Sequence, residues 1–379
     1  MAVSTNPNRT GRVDPSNVAI TGGVIGGVGV QSLATSATRF NKLTRCFAAT
    51  YAVVDNSANL STYGQVLNLP AQYDAVRIGV AHVGGGGAVT GMKALVAATD
   101  DLGDRSLSNT TAGRKIVSPW FGGSEQNTVS GNGWQAVTWG GQTSANITDP
   151  GADVVDIAWS DVIECHGIED AANPGWYPLL VRVFPGSAFF TRSSFTGASD
   201  PTRLIAETGA AFFAGASRNS DSVTTPANWG NAPTTAFSES SVLPLIVEAY
   251  VGSRRKSVMV VGDSRFASSA PSLSATKAYR ATAWFLEQAL IPHKASVVRC
   301  CMGGLSSSVY FQRATKYLDG MTPAVSVYLI SSSNDGTVST GSVASARTRT
   351  LRHIEQCMAK GVQPILDTSF PKTGGDGGS

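Results

Sequence analysis

Two patterns of apolar and polar positions alternate in the last third of the chain. Short apolar runs of strand length are separated by longer segments in which apolar residues recur at helical spacing. The predicted strands are Val258–Val261, Ala295–Val298, Val325–Ile330 and Pro364–Asp367, and the predicted helices are Ser274–Leu290, Val309–Leu318 and Val343–Lys360, the last with a Gly361 C-cap. Strands that alternate with helices of this length predict βαβ units in a parallel, doubly wound sheet.

The pattern before residue 250 is different. Apolar or alternating runs of strand length are bounded there by Gly, Pro, Asn or Asp, and no long amphipathic helix separates them. The predicted strands are Asp74–His82, Met92–Ala98, Val154–Trp159, Pro178–Phe184 and Val242–Tyr250. This pattern predicts a sandwich or jelly roll. Five tryptophans lie in the predicted loops, where each is either buried or available for a sugar ring to stack on: Trp120, Trp134, Trp139, Trp176 and Trp229.

The first 40 residues form a third region. Residues 1–17 are rich in Pro, Asn, Ser and Thr and predict an extended arm. In Val18–Val30, β-branched residues alternate with glycine. This ITGGxIxGV pattern resembles segments of bacteriophage tail fibres and tailspikes, which implies an attachment segment in a homotrimer; an ordinary Gly-rich hairpin is the alternative. The predicted domains are therefore 1–40, 41–250 and 251–379.

Composition narrows the function classes. With 42% apolar and 15% charged residues in 379, the chain is long enough for several packed cores. A net charge of +3 and the lack of a long Lys/Arg run argue against a nucleic acid partner. Five cysteines without metal-ligand spacing argue against a disulfide scaffold and a zinc site. We expect no cofactor, no membrane span and no secretory signal peptide.

Polar residues follow three of the predicted parallel strands. Asp263 and Ser264 follow the first, the run Gly303-Gly304-Leu305-Ser306 follows the second, and the run Ser333-Asn334-Asp335 follows the third. Sites in parallel sheets form at the carboxyl ends of the strands. A serine hydroxyl, a glycine N–H and an asparagine amide there are able to supply a nucleophile and an oxyanion hole.

These three blocks, GDS, MGGLSS and SSND, resemble those of the SGNH (GDSL-like) hydrolase family over roughly residues 257–371. The resemblance implies a flavodoxin-like esterase domain with Ser264 as the nucleophile. Ser264, Gly304 and Asn334 would form the oxyanion hole, and Asp263 would order the turn. The family's Asp-x-x-His block is absent, and none of His82, His166, His293 and His353 matches it. We therefore expect an incomplete domain, whose natural chain continues past Ser379 and supplies the catalytic His and Asp.

Three functions fit this sequence. The first is a phage tail-associated serine esterase that deacetylates a bacterial surface polysaccharide. The second is a structural or receptor-binding tail protein with a degenerate hydrolase domain. The third is a secreted bacterial carbohydrate esterase with an accessory sandwich domain. For the first two we expect a bacterial surface glycan and other virion tail proteins as partners, and a virion location reached from the host cytoplasm.

Overall fold

The computed structural model describes the following residues: 42–46, 52–55, 62–98, 107–110, 113–116, 134–152, 154–169, 174–187, 190–195, 216–218, 223, 240–242, 245–253, 256–262, 293, 295–301, 306–321, 325–330 and 340–367. The described strands are β1 (Lys42–Cys46), β2 (Ala52–Asp55), β3 (Thr62–Leu69), β4 (Tyr73–Val83), β5 (Val89–Ala98), β6 (Leu107–Thr110), β7 (Gly113–Ile116), β8 (Gln135–Ala136), β9 (Ala145–Ile147), β10 (Val155–Trp159), β11 (Ile163–Glu164), β12 (Tyr177–Phe184), β13 (Phe190–Phe195), β14 (Ala216–Arg218), β15 (Ser240–Val242), β16 (Leu245–Val251), β17 (Ser257–Gly262), β18 (Ser296–Cys301), β19 (Val325–Ile330) and β20 (Pro364–Asp367). The described helices are α1 (Ser307–Gly320) and α2 (Thr340–Ala359).

Most predicted elements are present with small changes in their bounds. All four strands predicted after residue 257 are found, and α1 and α2 cover the two later predicted helices. The segment predicted as one strand, Val242–Tyr250, is different: β15 ends at Val242, β16 begins at Leu245, and the two lie in different sheets. The predicted helix Ser274–Leu290 and the N-terminal region 1–40 lie outside the described residues.

A large mixed sheet is the centre of the molecule. Its strand order is β10-β4-β16-β1-β18-β17-β19-β20, with β11 paired to β4. The last four strands are parallel to one another, and the first four are antiparallel. Numbered along the chain, the parallel strands have the order 2-1-3-4, as in flavodoxin-like sheets.

The predicted boundary near residue 250 falls inside this sheet. Cys46 of β1 pairs with Ile246 of β16 on one side and with Val298 of β18 on the other. The strands predicted for the sandwich and the strands predicted for the hydrolase domain are therefore neighbours in a single sheet. The division into separate domains stays a prediction.

The two faces of the large sheet bury two cores. On one face, β4 and β16 pack against a second sheet of order β14-β3-β12-β5-β8, and buried residues such as Ile78, Val247, Val96 and Val181 fill the space between them. The sandwich or jelly roll expected for the front half stays a prediction. On the other face, residues such as Met259 pack against α1 and α2. Both described helices cover this one face, so the doubly wound arrangement stays a prediction.

The end of α2 shows how sequence fixes one of these elements. Gly361 has a φ of 68°, which glycine adopts without a steric penalty. The N–H of Gly361 donates to the carbonyl of Met358, and the N–H of Val362 donates to that of Cys357. These two bonds form a Schellman motif, and buried Val362 anchors the turn in the core. The predicted Gly361 C-cap is confirmed.

Candidate active site

Three neighbouring parallel strands end at one edge of the large sheet. The central one is β17, whose Gly262 pairs with Cys301 of β18 and whose Val261 pairs with Leu329 of β19. With a strand spacing of about 4.8 Å, the three chain ends lie within roughly 10 Å of one another. Each strand leads into one of the three predicted catalytic blocks.

The predicted site residues follow these strand ends closely in the sequence. Ser264 is two residues after β17 ends, Gly304 is three residues after β18 ends, and Asn334 is four residues after β19 ends. Asp263, Ser264, Gly304 and Asn334 themselves lie outside the described residues. Their meeting at one site therefore stays a prediction, although the strands that lead to them end side by side.

The strand before Ser264 is rigidly held. Met259, Val260 and Val261 are completely buried, and β17 is paired on both sides. At its amino end, the hydroxyls of Ser257 and Ser296 lie 2.7 Å apart and link β17 to β18 inside the protein. A nucleophile two residues beyond such a strand would be attached to a well-packed support, as an active site requires.

His82 lies at the same edge of the sheet as the end of β17 but four strands away from it. One row of paired residues crosses the sheet from β4 to β17 and consists of Gly79, Ile246, Cys46, Val298 and Met259. His82 and Gly262 each lie three residues beyond this row, and β4 is parallel to β17. Four strand spacings separate β4 from β17, or about 19 Å at roughly 4.8 Å each. That distance is far beyond hydrogen-bond reach of the end of β17. That His82 is not the base for Ser264 stays a prediction.

The other three histidines lie away from this edge. His166 is next to the amino end of β4, where its ring contacts Glu164 at 3.1 Å and Asp74 at 3.5 Å. His293 is exposed and precedes the amino end of β18. His353 lies in the second half of α2, with its ring centroid 5.2 Å from that of Phe311 in the core beneath the helices. That none of these is the base stays a prediction.

Burial controls the charge of two of these histidines. It lowers the pKa of His82 below 6.5, and a hydrogen bond from the His82 ring to the Gly87 carbonyl, at 2.8 Å, offsets part of the shift. Burial likewise lowers the pKa of His353. Both rings are therefore neutral at physiological pH. The neutral state of both rings follows from their burial.

Cys165 and Cys357 are not alternative nucleophiles. Burial raises the pKa of the Cys165 thiol to about 12 and that of Cys357 to about 11, and both are free thiols. A thiol reacts as the thiolate, which is scarce at these pKa values. Among the described residues, no group of three or more His, Cys, Asp or Glu side chains is placed to hold a metal ion. Neither described helix is long and apolar enough to cross a membrane.

Some tryptophans of the front half contact other parts of the protein. The guanidinium of Arg182 lies 4.3 Å from the ring centroid of Trp134, and Trp139 packs, partly buried, on the core between the two sheets. Both rings therefore have structural contacts, and Trp176 is partly buried. Trp120 and Trp229 lie outside the described residues. Stacking of a sugar on any of these rings stays a prediction.

Comparison with known proteins gives weak likenesses to esterases. No protein-family model matches the chain, and no curated protein matches it. Among solved structures, it is similar to AlinE4, an SGNH-hydrolase family esterase, with 20% identity, coverage of 30% of this chain and 59% of that one, and a TM-score of 0.25. The chain thus spans 59% of AlinE4.

Two further similar structures cover more of the chain. One is the Bacillus subtilis protein YxiM, with 14% identity, coverage of 87% of this chain and 67% of that one, and a TM-score of 0.30. The other is a family two carbohydrate esterase from Cellvibrio japonicus, with 9% identity, coverage of 88% and 92%, and a TM-score of 0.22. These TM-scores are low, so the likenesses do not establish a common fold over the whole chain.

One arrangement near the strand ends has no motif in the sequence. Arg349 of α2 reaches Ser307, the first residue of α1, and this helix begins three residues after Gly304. Helical spacing predicts both helices but does not tell which arginine of α2 faces α1. The contact is visible only once the two helices are packed side by side.

Proposed function

We propose that this protein is a metal-independent serine ester hydrolase with Ser264 as its nucleophile. The convergence of β18, β17 and β19 at one sheet edge, immediately before the three polar blocks, carries this proposal. Nucleophile and oxyanion donors must come from separate segments that meet within a few ångströms. Neighbouring parallel strand ends supply that meeting place.

The proposed chemistry has two steps. The Ser264 hydroxyl attacks the ester carbonyl carbon, and the oxyanion accepts hydrogen bonds from the N–H groups of Ser264 and Gly304 and from the Asn334 amide. Collapse of this intermediate expels the alcohol and leaves an acyl-enzyme, which water then hydrolyses to the acid. Asp263 orders the turn. The base that takes the serine proton is not assigned to any of the four histidines.

For the substrate, we propose an O-acetyl ester on a bacterial surface polysaccharide. The resemblance of residues 18–30 to tail fibre segments supports a place in a virion tail, outside the cell and next to that polysaccharide. The β-rich front half would bind glycan or neighbouring tail proteins, in a homotrimer.

The histidine positions favour a second candidate, a non-catalytic tail protein that binds a receptor glycan. Among the described residues, no histidine lies within hydrogen-bond reach of the end of β17. A serine without a base is a weak nucleophile. In this case the hydrolase-like sheet is a scaffold, and a glycan array would detect binding without release of acetate.

Release of acetate from an O-acetylated polysaccharide tests the proposal. The full-length protein should release acetate, and Ser264→Ala should lower the rate by about 10³-fold or more, since the nucleophile is lost. Ser253→Ala is the matched control, because Ser253 is exposed and precedes the opposite end of β17. Equal rates for wild type and Ser264→Ala, or binding without turnover, would favour the non-catalytic protein.

A further inference from the structure

Arg349 ties α2 to the first turn of α1. Its Nε and Nη2 both donate to the hydroxyl oxygen of Ser307, at 3.1 and 2.8 Å. Ser307 is 2% exposed and Arg349 is partly buried, so this contact is partly shielded from water. Hydrogen bonds from a charged donor are stronger than neutral ones, and the planar guanidinium fixes their direction.

The contact lies at the end of the helix pair that is next to the carboxyl edge of the sheet. The two helices run side by side in the same direction, because their further links follow in order: Thr315 donates to Gln356 at 3.0 Å, and Lys360 pairs with Asp319 at 2.7 Å. Arg349 therefore makes the link next to the carboxyl edge of the sheet, and Lys360 makes the link at the opposite end.

We infer that Arg349 is a positioning residue for the turn that carries Gly304. Only two residues, Leu305 and Ser306, separate Gly304 from Ser307, so fixing the first turn of α1 would restrict where the Gly304 N–H points. An oxyanion donor stabilises the transition state only when it is held in place before the reaction. This inference rests on the proposed esterase function for its catalytic consequence, but the ordering of the turn is measurable without it.

Hydrogen exchange tests the ordering directly. In Arg349→Gln, amides in a peptide covering residues 302–309 should exchange roughly tenfold faster, because the charged link to Ser307 is lost. Lys360→Gln is the matched control: it removes one positive charge from the same helix pair at its other end, and exchange in 302–309 should not change. Unchanged exchange in Arg349→Gln would overturn the inference, whatever the protein's activity.

Kinetics test the consequence for the reaction. If Gly304 is misplaced, Arg349→Gln should lower kcat about tenfold with KM nearly unchanged, since the donor acts on the transition state. Arg349→Lys keeps the positive charge but lacks the planar guanidinium with its two donors, so this variant should recover only part of kcat. A normal kcat in Arg349→Gln would overturn the catalytic role. If the wild type shows no Ser264-dependent hydrolysis, the proposed function fails, and the exchange result alone decides whether Arg349 orders the turn.

Discussion

At the scale of single residues, His353 shows how the fold changes the chemistry of a side chain. It is 2% exposed, and neither ring nitrogen meets a partner at hydrogen-bonding distance and angle among the described residues. The side chain of Gln356 is near enough to favour the charged ring, although it offsets only part of the fall in the pKa of His353 that burial causes. A buried polar group without a full partner lowers stability. His353 is therefore a weak point of the core, and its position in the sequence did not reveal this.

Replacing His353 with leucine should stabilise the protein. We expect the free energy of unfolding to rise by about 1 kcal/mol at pH 7, because the unsatisfied ring nitrogens are removed. The folded-state pKa of His353 is below 6.5, so the unfolded chain binds more protons as the pH falls below that value, and the wild type loses stability there. The gain from His353→Leu should therefore grow below pH 6.5.

Denaturant unfolding at several pH values from neutral to mildly acidic measures this effect. His293→Leu is the control, because His293 is exposed and should leave stability nearly unchanged. A gain from His353→Leu that stays constant across this pH range would show that His353 is not held neutral by burial.

At the scale of elements, one polar cluster joins α1 to the front half of the chain. Arg77 of β4 pairs with buried Glu248 of β16, with Nε to Oε2 at 2.8 Å, and its Nη2 donates to the carbonyl of Gly320 at 2.9 Å. The same guanidinium lies 4.1 Å from the ring centroid of Trp159. The end of α1 is thus fixed to strands that the sequence predicted for another domain.

Gly320 is the position where this junction is tightest. An added Cβ would overlap the indole of Trp159, with ring carbons 2.7 Å away. Gly320→Ala should therefore destabilise the protein by about 2 kcal/mol through overpacking, measured by denaturant unfolding. Gly252→Ala is the matched control, because nothing lies within 4 Å of its added Cβ. If both variants unfold alike, α1 is not seated against Trp159 as described.

The elements also show which parts of the fold can be predicted from the sequence. Local periodicity was sufficient for β17 to β20, α1 and the Gly361 C-cap, because these depend on residues close together in the chain. It was not sufficient for β1, whose Cys46 joins the two halves by pairing with residues about 200 and 250 positions later. The strand ends of the site were predictable for the same local reason. The remoteness of His82 and the Arg349–Ser307 contact depend on tertiary packing, and no motif encodes them.

At the scale of the whole molecule, both cores share one sheet. The core between the two sheets lies on one face and the helix-covered core on the other. Strands β4 and β16 contribute residues to the first core, and Ala81 of β4 and Ile246 of β16 contribute to the second. Strands with both faces buried couple the two cores directly. We therefore expect the described parts to unfold as one cooperative unit rather than as two domains.

Scanning calorimetry of the full-length protein checks this expectation. The strands from both cores should melt in one transition, and Gly320→Ala should shift that transition as a whole. Two separate transitions, only one of which moves in Gly320→Ala, would show that the boundary near residue 250 does divide independent domains.

The central claim, that Ser264 is a nucleophile, is tested most directly by covalent labelling. Trypsin cleaves after Lys256 and Arg265, so Ser264 lies in a peptide of residues 257–265. After the full-length protein reacts with a fluorophosphonate, mass spectrometry should find the adduct in this peptide, and Ser264→Ala should abolish it. Ser257, the other serine of the peptide, is completely buried. An unlabelled peptide, or equal labelling in Ser264→Ala, would contradict the claim.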